Sequence, residues 1–157
     1  MKIVLIGASS DIANQLVADK SNVFEFIEIS STTSSFDVQN EETYPEIEGG
    51  IDGLVYFPGS INLRPFSSLK LSDFQTDYEI NVLGLIKVLK HYHKSLNDNS
   101  SLVFISSIAA SVGMPFHSSI SASKAAIEGL CRSLAAEWSP KVRVNCVAPS
   151  LVNTKLS

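Results

Sequence analysis

Cysteine is scarce in this sequence. Cys131 and Cys146 are its only two, too few for a disulfide framework, and no CxxC pair or Cys/His cluster marks a metal site. Both are read as small core residues of a protein kept in a reducing compartment. His91 and His93 stand two apart in a helical pattern and share no face, which argues against a metal pair. Long hydrophobic runs are missing too. No stretch reaches the roughly 18 to 20 apolar residues of a spanning helix. The opening MKIVLIGASS gives way to small polar residues after a few apolar ones, a strand pattern rather than a signal peptide. Charge is sparse, at 18% of residues with a net of −4, so no basic surface is available for nucleic acid. These absences leave the expectation of a soluble, cytoplasmic protein without metal, membrane or nucleic-acid partner. At 157 residues, with no internal repeat or linker, the chain is expected to form one domain that buries its own core.

What is present is an alternation of strand and helix patterns. Lys2 to Ile6 is a continuous apolar run, the mark of a strand buried on both faces. It ends at Gly7-Ala8-Ser9-Ser10, and Asp11 then opens a helical pattern as its N-cap. Phe24 to Ile29 reads as a second strand and the polar run Ser30 to Ser35 as a turn. Phe36-Asp37-Val38 suggests a brief third strand, and Asn40 to Glu48 a short helix ended by Gly49-Gly50. Ile51 to Phe57 is the next buried strand, stopped by Pro58-Gly59. A long helix is predicted from near Ser72, with Phe74, Tyr78, Val82, Leu85, Leu89, Tyr92 and Leu96 recurring at spacings of three and four. Asn97-Asp98-Asn99-Ser100 ends it with turn chemistry.

The stretch from Ser101 to Glu128 carries the most chemistry. Leu102 to Ile105 is an apolar run that delivers Ser106-Ser107 at its carboxyl end. After a Gly113/Pro115 loop, a helix is predicted from about Ser119 to Trp138, bearing Lys124 and closed by Pro140. Its apolar stripes, Ala122-Ala126-Leu130-Leu134 and Ile127-Cys131-Ala135-Trp138, supply core contacts and a packing face. Ser119 and Ser121 are read as caps at its start. Val142 to Val147 is the last strand, breaking at Ala148-Pro149-Ser150. Strands alternating with helices argue for an α/β fold: a doubly wound parallel sheet in three layers, α/β/α, with about six strands. Ligands of such sheets bind beyond the carboxyl ends of the strands. Those ends carry Gly7-Ala8-Ser9-Ser10, Ser30-Ser31, Pro58-Gly59, Ser106-Ser107 and Pro149-Ser150, a crevice suited to an extended ligand.

With these residues in place the chain resembles the short-chain dehydrogenase/reductase family, Rossmann-like enzymes that use a nicotinamide dinucleotide to interconvert alcohols and carbonyls. The resemblance covers nearly the whole chain and is closer in the second half. Gly7 to Ala13 sits where the family has its glycine-rich loop, which implies dinucleotide contacts at Gly7, Ser9, Ser10 and Ile12. Asp11 departs from that loop, since a carboxylate near a diphosphate is repulsive unless it points away. Asp37-Val38 matches the pair beside the adenine ring, and Phe57-Pro58-Gly59 keeps the glycine of the Asn-Ala-Gly motif but not its asparagine. Asn81 matches the catalytic asparagine, which holds a helix kink and a water chain. Ser107 matches the catalytic serine and Lys124 the lysine of Tyr-x-x-x-Lys. Val144 to Ser150, followed by Thr154, resembles the last nucleotide contact, implying roles for Pro149, Ser150 and Thr154.

The position four before Lys124 should hold the catalytic tyrosine, and it holds Ile120. In the family the phenol exchanges the proton, a nearby lysine lowers its pKa, and the serine holds the substrate oxygen. Isoleucine has no proton to exchange. General acid–base catalysis is typically worth roughly 10²- to 10⁴-fold, so the expectation is an impaired NAD(P)-dependent oxidoreductase. The competing reading is an inactive dinucleotide-binding protein with a regulatory or assembly role. His117, three residues upstream, is a candidate substitute acid, with a solvated loop histidine as its plainer reading. The second strand ends at Ser30-Ser31 without a carboxylate for the ribose hydroxyls, which leans towards NADP over NAD. The resemblance also implies a homodimer or homotetramer packed through the two long helices. A substrate-covering segment is expected after Thr154, and these residues stop at Ser157, so the substrate is not readable.

Overall fold

The computed structural model describes residues 1–153. Five strands, β1 (Lys2–Ile6), β2 (Glu25–Ile29), β3 (Ile51–Tyr56), β4 (Leu96–Ile105) and β5 (Val142–Val147), form one sheet in the order β2-β1-β3-β4-β5. Every pair is parallel. The chain leaves β1 for β2 on one side and then crosses back to β3 on the other, so the winding reverses between β1 and β3. That switch point is where α/β sheets open a ligand crevice.

Four helices flank the sheet: α1 (Asp11–Lys20), α2 (Leu71–Tyr78), α3 (Gly84–Tyr92) and α4 (Ser118–Trp138). Period-2 alternation sends Val4, Ile6, Ile29, Leu54, Tyr56, Leu102, Phe104 and Val144 into one core. There they meet Val82 from the turn just before α3, Leu85, Val88, Leu89 and Tyr92 from α3, and Ile127 and Cys131 from α4. Leu5 and Ala13, both fully buried, stand outside that cluster, which places α1 against the opposite face. The three-layer α/β/α Rossmann-like architecture follows.

Among the described residues the sheet has five strands rather than about six. Phe36-Asp37-Val38 joins no strand; Asp37 makes only an isolated antiparallel bridge to Asn40. Side-chain packing holds this loop instead. The Phe36 and Tyr44 rings lie 4.8 Å apart, and the Tyr44 hydroxyl donates to the Val38 carbonyl at 2.6 Å. The helix expected over 40–48 shrinks to one 3₁₀ turn, Glu41–Thr43, because Pro45 follows and lacks the N–H to extend it.

Two helix starts also differ from expectation. Ser10, not Asp11, caps α1, accepting from the Ala13 amide at 3.1 Å. His117 precedes α4 without a side-chain cap, and Ser119 is turned inward. The long helix predicted from Ser72 is interrupted by a π-helical turn, Glu79–Leu83, that joins α2 to α3. The widened turn leaves carbonyls for side-chain donors: the Asn81 amide donates to Asp77 O at 2.8 Å and the Tyr56 hydroxyl to Ile80 O at 2.6 Å. The helix ends at Tyr92, and Leu96, expected on it, opens β4 by pairing with Ile51. Asn97 to Ser100 lie in β4 beside a register shift between Ile51 and Gly53.

Candidate active site

A cleft of about 870 Å³ opens at the carboxyl edge of the sheet, across the β1/β3 switch point. Its size lies towards the upper end of the roughly 300–1,000 Å³ range of small-molecule sites. Gly7 makes the first corner. Its φ is +78°, and a Cβ there would stand 2.8 Å from the Pro58 ring, so only glycine lets the β1 and β3 turns touch. Ser9, Ser10, Asp11 and Ile12 then line the cleft at the N-terminus of α1. That helix end is favourable to an anion, and the Asp11 carboxylate opposes it.

At the far end, Ser30, Ser31 and Ser35 line the cleft from the turn after β2. The Ser30 hydroxyl is 2.9 Å from the hydroxyls of both Thr32 and Thr33 and accepts from the Thr33 amide. This turn is rich in hydroxyls and has neither a carboxylate nor a cation. Phe36, Asp37 and Val38 supply a largely apolar wall next to it. One Asp37 oxygen accepts from the Gln39 amide at 2.9 Å.

The other end is formed by Pro58, Gly59, Ser107, Ile120, Lys124, Pro149 and Ser150. Ser107 follows β4 and accepts from the Ala109 amide at 3.2 Å. Its hydroxyl proton is therefore available to a ligand oxygen. Lys124 is 8% exposed and donates to the Ile105 carbonyl at 2.8 Å. Among the described residues that line the cleft it is the one cation. Burial brings its ammonium down to about 8, with the nearby Cys146 and Asp77 acting the other way. Ile120, 4% exposed, presents an aliphatic surface one turn before Lys124.

Asn81 does not line the cleft. It lies fully buried behind Gly59, and its Oδ1 has no hydrogen-bond partner among the described residues. A Cβ on Gly59 would sit 3.1 Å from Asn81 Oδ1 and 3.5 Å from Lys124 Nζ. These two polar groups thus border one small gap at the cleft floor. His117 points elsewhere: its Nδ1 is 2.6 Å from the Pro115 carbonyl, and the residue is not in the cleft wall. Thr154 lies outside the described residues.

The structure adds a cluster that sequence reasoning missed. Asp77 is fully buried. Its Oδ1 accepts from the Ser60 hydroxyl at 2.6 Å and the Asn62 amide at 3.1 Å, and its Oδ2 from the Ser119 hydroxyl at 2.6 Å. The Asn81 amide also donates to Ser60 Oγ at 3.2 Å. A signal existed: Asp77 and Asn81 are two polar residues one turn apart on a helix that is otherwise apolar on its inward side.

A nicotinamide dinucleotide suits this set of residues. The apolar wall, the hydroxyl-rich turn, the helix N-terminus and the buried lysine follow the order of adenine, ribose, diphosphate and nicotinamide ribose. The unpartnered Asn81 Oδ1 and the gap beside Lys124 provide for a hydroxyl at the last position. Asp11 is the one lining group that works against the fit.

Comparison with known proteins gives the same direction. A family profile described as enoyl-(acyl carrier protein) reductase matches residues 11–157. Hydroxynaphthalene reductase arp2 of Aspergillus fumigatus is 32% identical over 69% of this chain and 40% of its own length. L-2,3-butanediol dehydrogenase of Corynebacterium glutamicum is 30% identical over 87% of this chain and 54% of its own. The chain therefore spans about half or less of these relatives. A crystal structure of a small-chain dehydrogenase in complex with NADPH superposes with a TM-score of 0.91 over 99% of this chain and 73% of that one, at 23% identity.

Proposed function

Because this chain belongs to the short-chain dehydrogenase/reductase family, we propose that its cleft binds NAD(P) and that it interconverts a carbonyl and an alcohol at a rate held down by Ile120. The observation that carries this is the convergence of Lys124, Ser107 and the Asn81–Gly59 gap at one end of a cleft whose middle is a helix N-terminus. Gly7, Ser9, Ser10 and Ile12 would take the diphosphate and Ser30 and Ser31 the adenosine ribose. Asp37 and Val38 would flank the adenine. Pro58, Gly59, Pro149, Ser150 and Thr154 would contact the nicotinamide half. A bound dihydronicotinamide supplies the hydride. Lys124 holds the adjoining ribose, Ser107 donates to the substrate oxygen, and Asn81 keeps the helix widened behind them.

The hydroxyl-rich turn after β2, without a carboxylate, leans the choice to NADP. The missing phenol favours a second reading, a dinucleotide-binding protein without turnover. Titrating NADPH and NADH against the protein by thermal shift, followed by a carbonyl-reduction assay, separates the two. Binding with slow turnover supports the oxidoreductase, binding alone supports the second reading, and no binding of either nucleotide removes both. A homodimer or homotetramer through the helical face is part of the proposal. In support, Phe66, Leu71 and Tyr78 stand 73%, 74% and 44% exposed on and beside α2. Two free cysteines suit a reducing, cytoplasmic setting.

A further inference from the structure

Asp77 is a charged side chain with no exposure to solvent, and burying a carboxylate is costly unless it is well bonded or used. Neutral donors satisfy it from two elements: Ser60 and Asn62 of the loop after β3, and Ser119 of α4. No arginine or lysine pairs with it directly among the described residues. The Ser60 bond is short, at 2.6 Å. Ser60 differs from the other two donors to the carboxylate: it also lines the cleft, next to Gly59, whose Cβ position lies 3.5 Å from Lys124 Nζ. Ser60 thus links the wall of the cleft to a sequestered carboxylate.

We propose that Ser60 and Asp77 form a proton relay that takes over the exchange for which Ile120 has no group. This rests on the dinucleotide reading above. In the direction of alcohol oxidation, the substrate hydroxyl gives its proton to Ser60 Oγ, and the proton of Ser60 crosses to Asp77 Oδ1. The carbinol C–H bond breaks at the same time, and its electron pair leaves as hydride to the oxidised nicotinamide dinucleotide. The alcohol becomes a carbonyl, the dinucleotide is reduced, and Asp77 ends as a carboxylic acid. Reduction runs the same steps backwards, with the Asp77 acid as the proton source. Ser60 is the residue that touches substrate, and Asp77 acts through it. Asn81 orients Ser60 by donating to its oxygen at 3.2 Å.

The charged group brought near Asp77 by the neighbouring helix is Lys124, whose ammonium it favours. Asp73, one turn earlier on α2, is 3.9 Å from Arg64. Oxidation should fall above about pH 8, where Lys124 loses its proton, a limb that the relay does not share.

The test uses the whole chain and the variants Ser60→Ala and Asp77→Asn. Dinucleotide affinity is read from NADPH and NADH fluorescence. Oxidation of 2-butanol, cyclohexanol and 2,3-butanediol is followed across pH with NADP⁺ and NAD⁺. The relay predicts that both variants bind dinucleotide within about threefold of the parent and oxidise at least tenfold more slowly, a loss at or below the lower end of general acid–base effects, roughly 10²-fold. It also predicts that the solvent deuterium isotope effect on oxidation, which reports the relayed proton, falls in both variants, whereas a purely structural role would leave it in place. Should Asp77→Asn fail to fold, Ser60→Ala, which keeps the carboxylate, decides alone. Parent-like oxidation by a folded Ser60→Ala protein overturns the relay and leaves the dinucleotide reading standing. So does dinucleotide binding without oxidation of any of the three alcohols by the unmodified protein. Failure of the unmodified protein to bind either dinucleotide overturns the reading beneath the relay, and the relay with it.

Discussion

Asn81 and Lys124 meet across Gly59: a single added Cβ would lie 3.1 Å from the asparagine Oδ1 and 3.5 Å from the lysine Nζ. The first contact is tight and the second is ordinary van der Waals distance. Gly59→Ala should therefore fold with a modest loss of stability but fill the gap into which a ligand hydroxyl would reach. Dinucleotide affinity, read by fluorescence titration, is expected to fall about tenfold or more, equivalent to about 1.4 kcal/mol. Unchanged affinity would remove the gap from the binding site.

Burial holds the Lys124 ammonium at about 8, against 10.5 for an ordinary lysine. The sign follows from linkage. Above about 8 the folded protein has released a proton that the unfolded chain still binds, so stability rises with pH from there towards 10.5. Burial pushes Cys146 the other way, from 9.0 up to about 11, and this opposes the rise above pH 9. Urea unfolding should show a gain of about 1 kcal/mol between pH 8 and 9 that is absent in Lys124→Met. Dinucleotide affinity should weaken over the same interval as the cation is lost.

Gly7 combines a positive φ with contact against Pro58. Gly7→Ala pays strain in the backbone and collides with the β3 turn, at a cost of about 1–3 kcal/mol. The midpoint of urea unfolding should drop accordingly. Gly113→Ala, which meets nothing within 4 Å of its Cβ, serves as the comparison and should stay within about 1 kcal/mol of the parent.

Most of the architecture was legible because it is written in short-range pattern. Continuous apolar runs gave β1 and β3, and the serines at strand ends fell on one edge because parallel strands point their carboxyl ends the same way. Phe36-Asp37-Val38 was misread because its apolar residues are buried by Tyr44 rather than by strand pairing. The periodicity of the long helix hides its π turn, since one extra residue shifts the stripe without breaking it. The Asp77–Asn81 spacing marked a polar spot on the helix, but the partners of Asp77 were out of reach for a different reason. Its donors come from 17 residues before it in Ser60 and 42 residues after it in Ser119, and no local rule links them. Ser119 looked like a cap because serines at helix starts usually are caps.

The central claim is that this cleft is a working dinucleotide site whose proton chemistry is limited at position 120. The measurement that bears on it most directly is the rate of carbonyl reduction by Ile120→Tyr relative to the unmodified protein, at saturating NADPH or NADH. The account predicts a gain of roughly 10²-fold or more, within the range of general acid–base effects, with dinucleotide affinity little changed. A variant that folds and binds the dinucleotide as before, yet reduces carbonyls no faster than the parent, would contradict it.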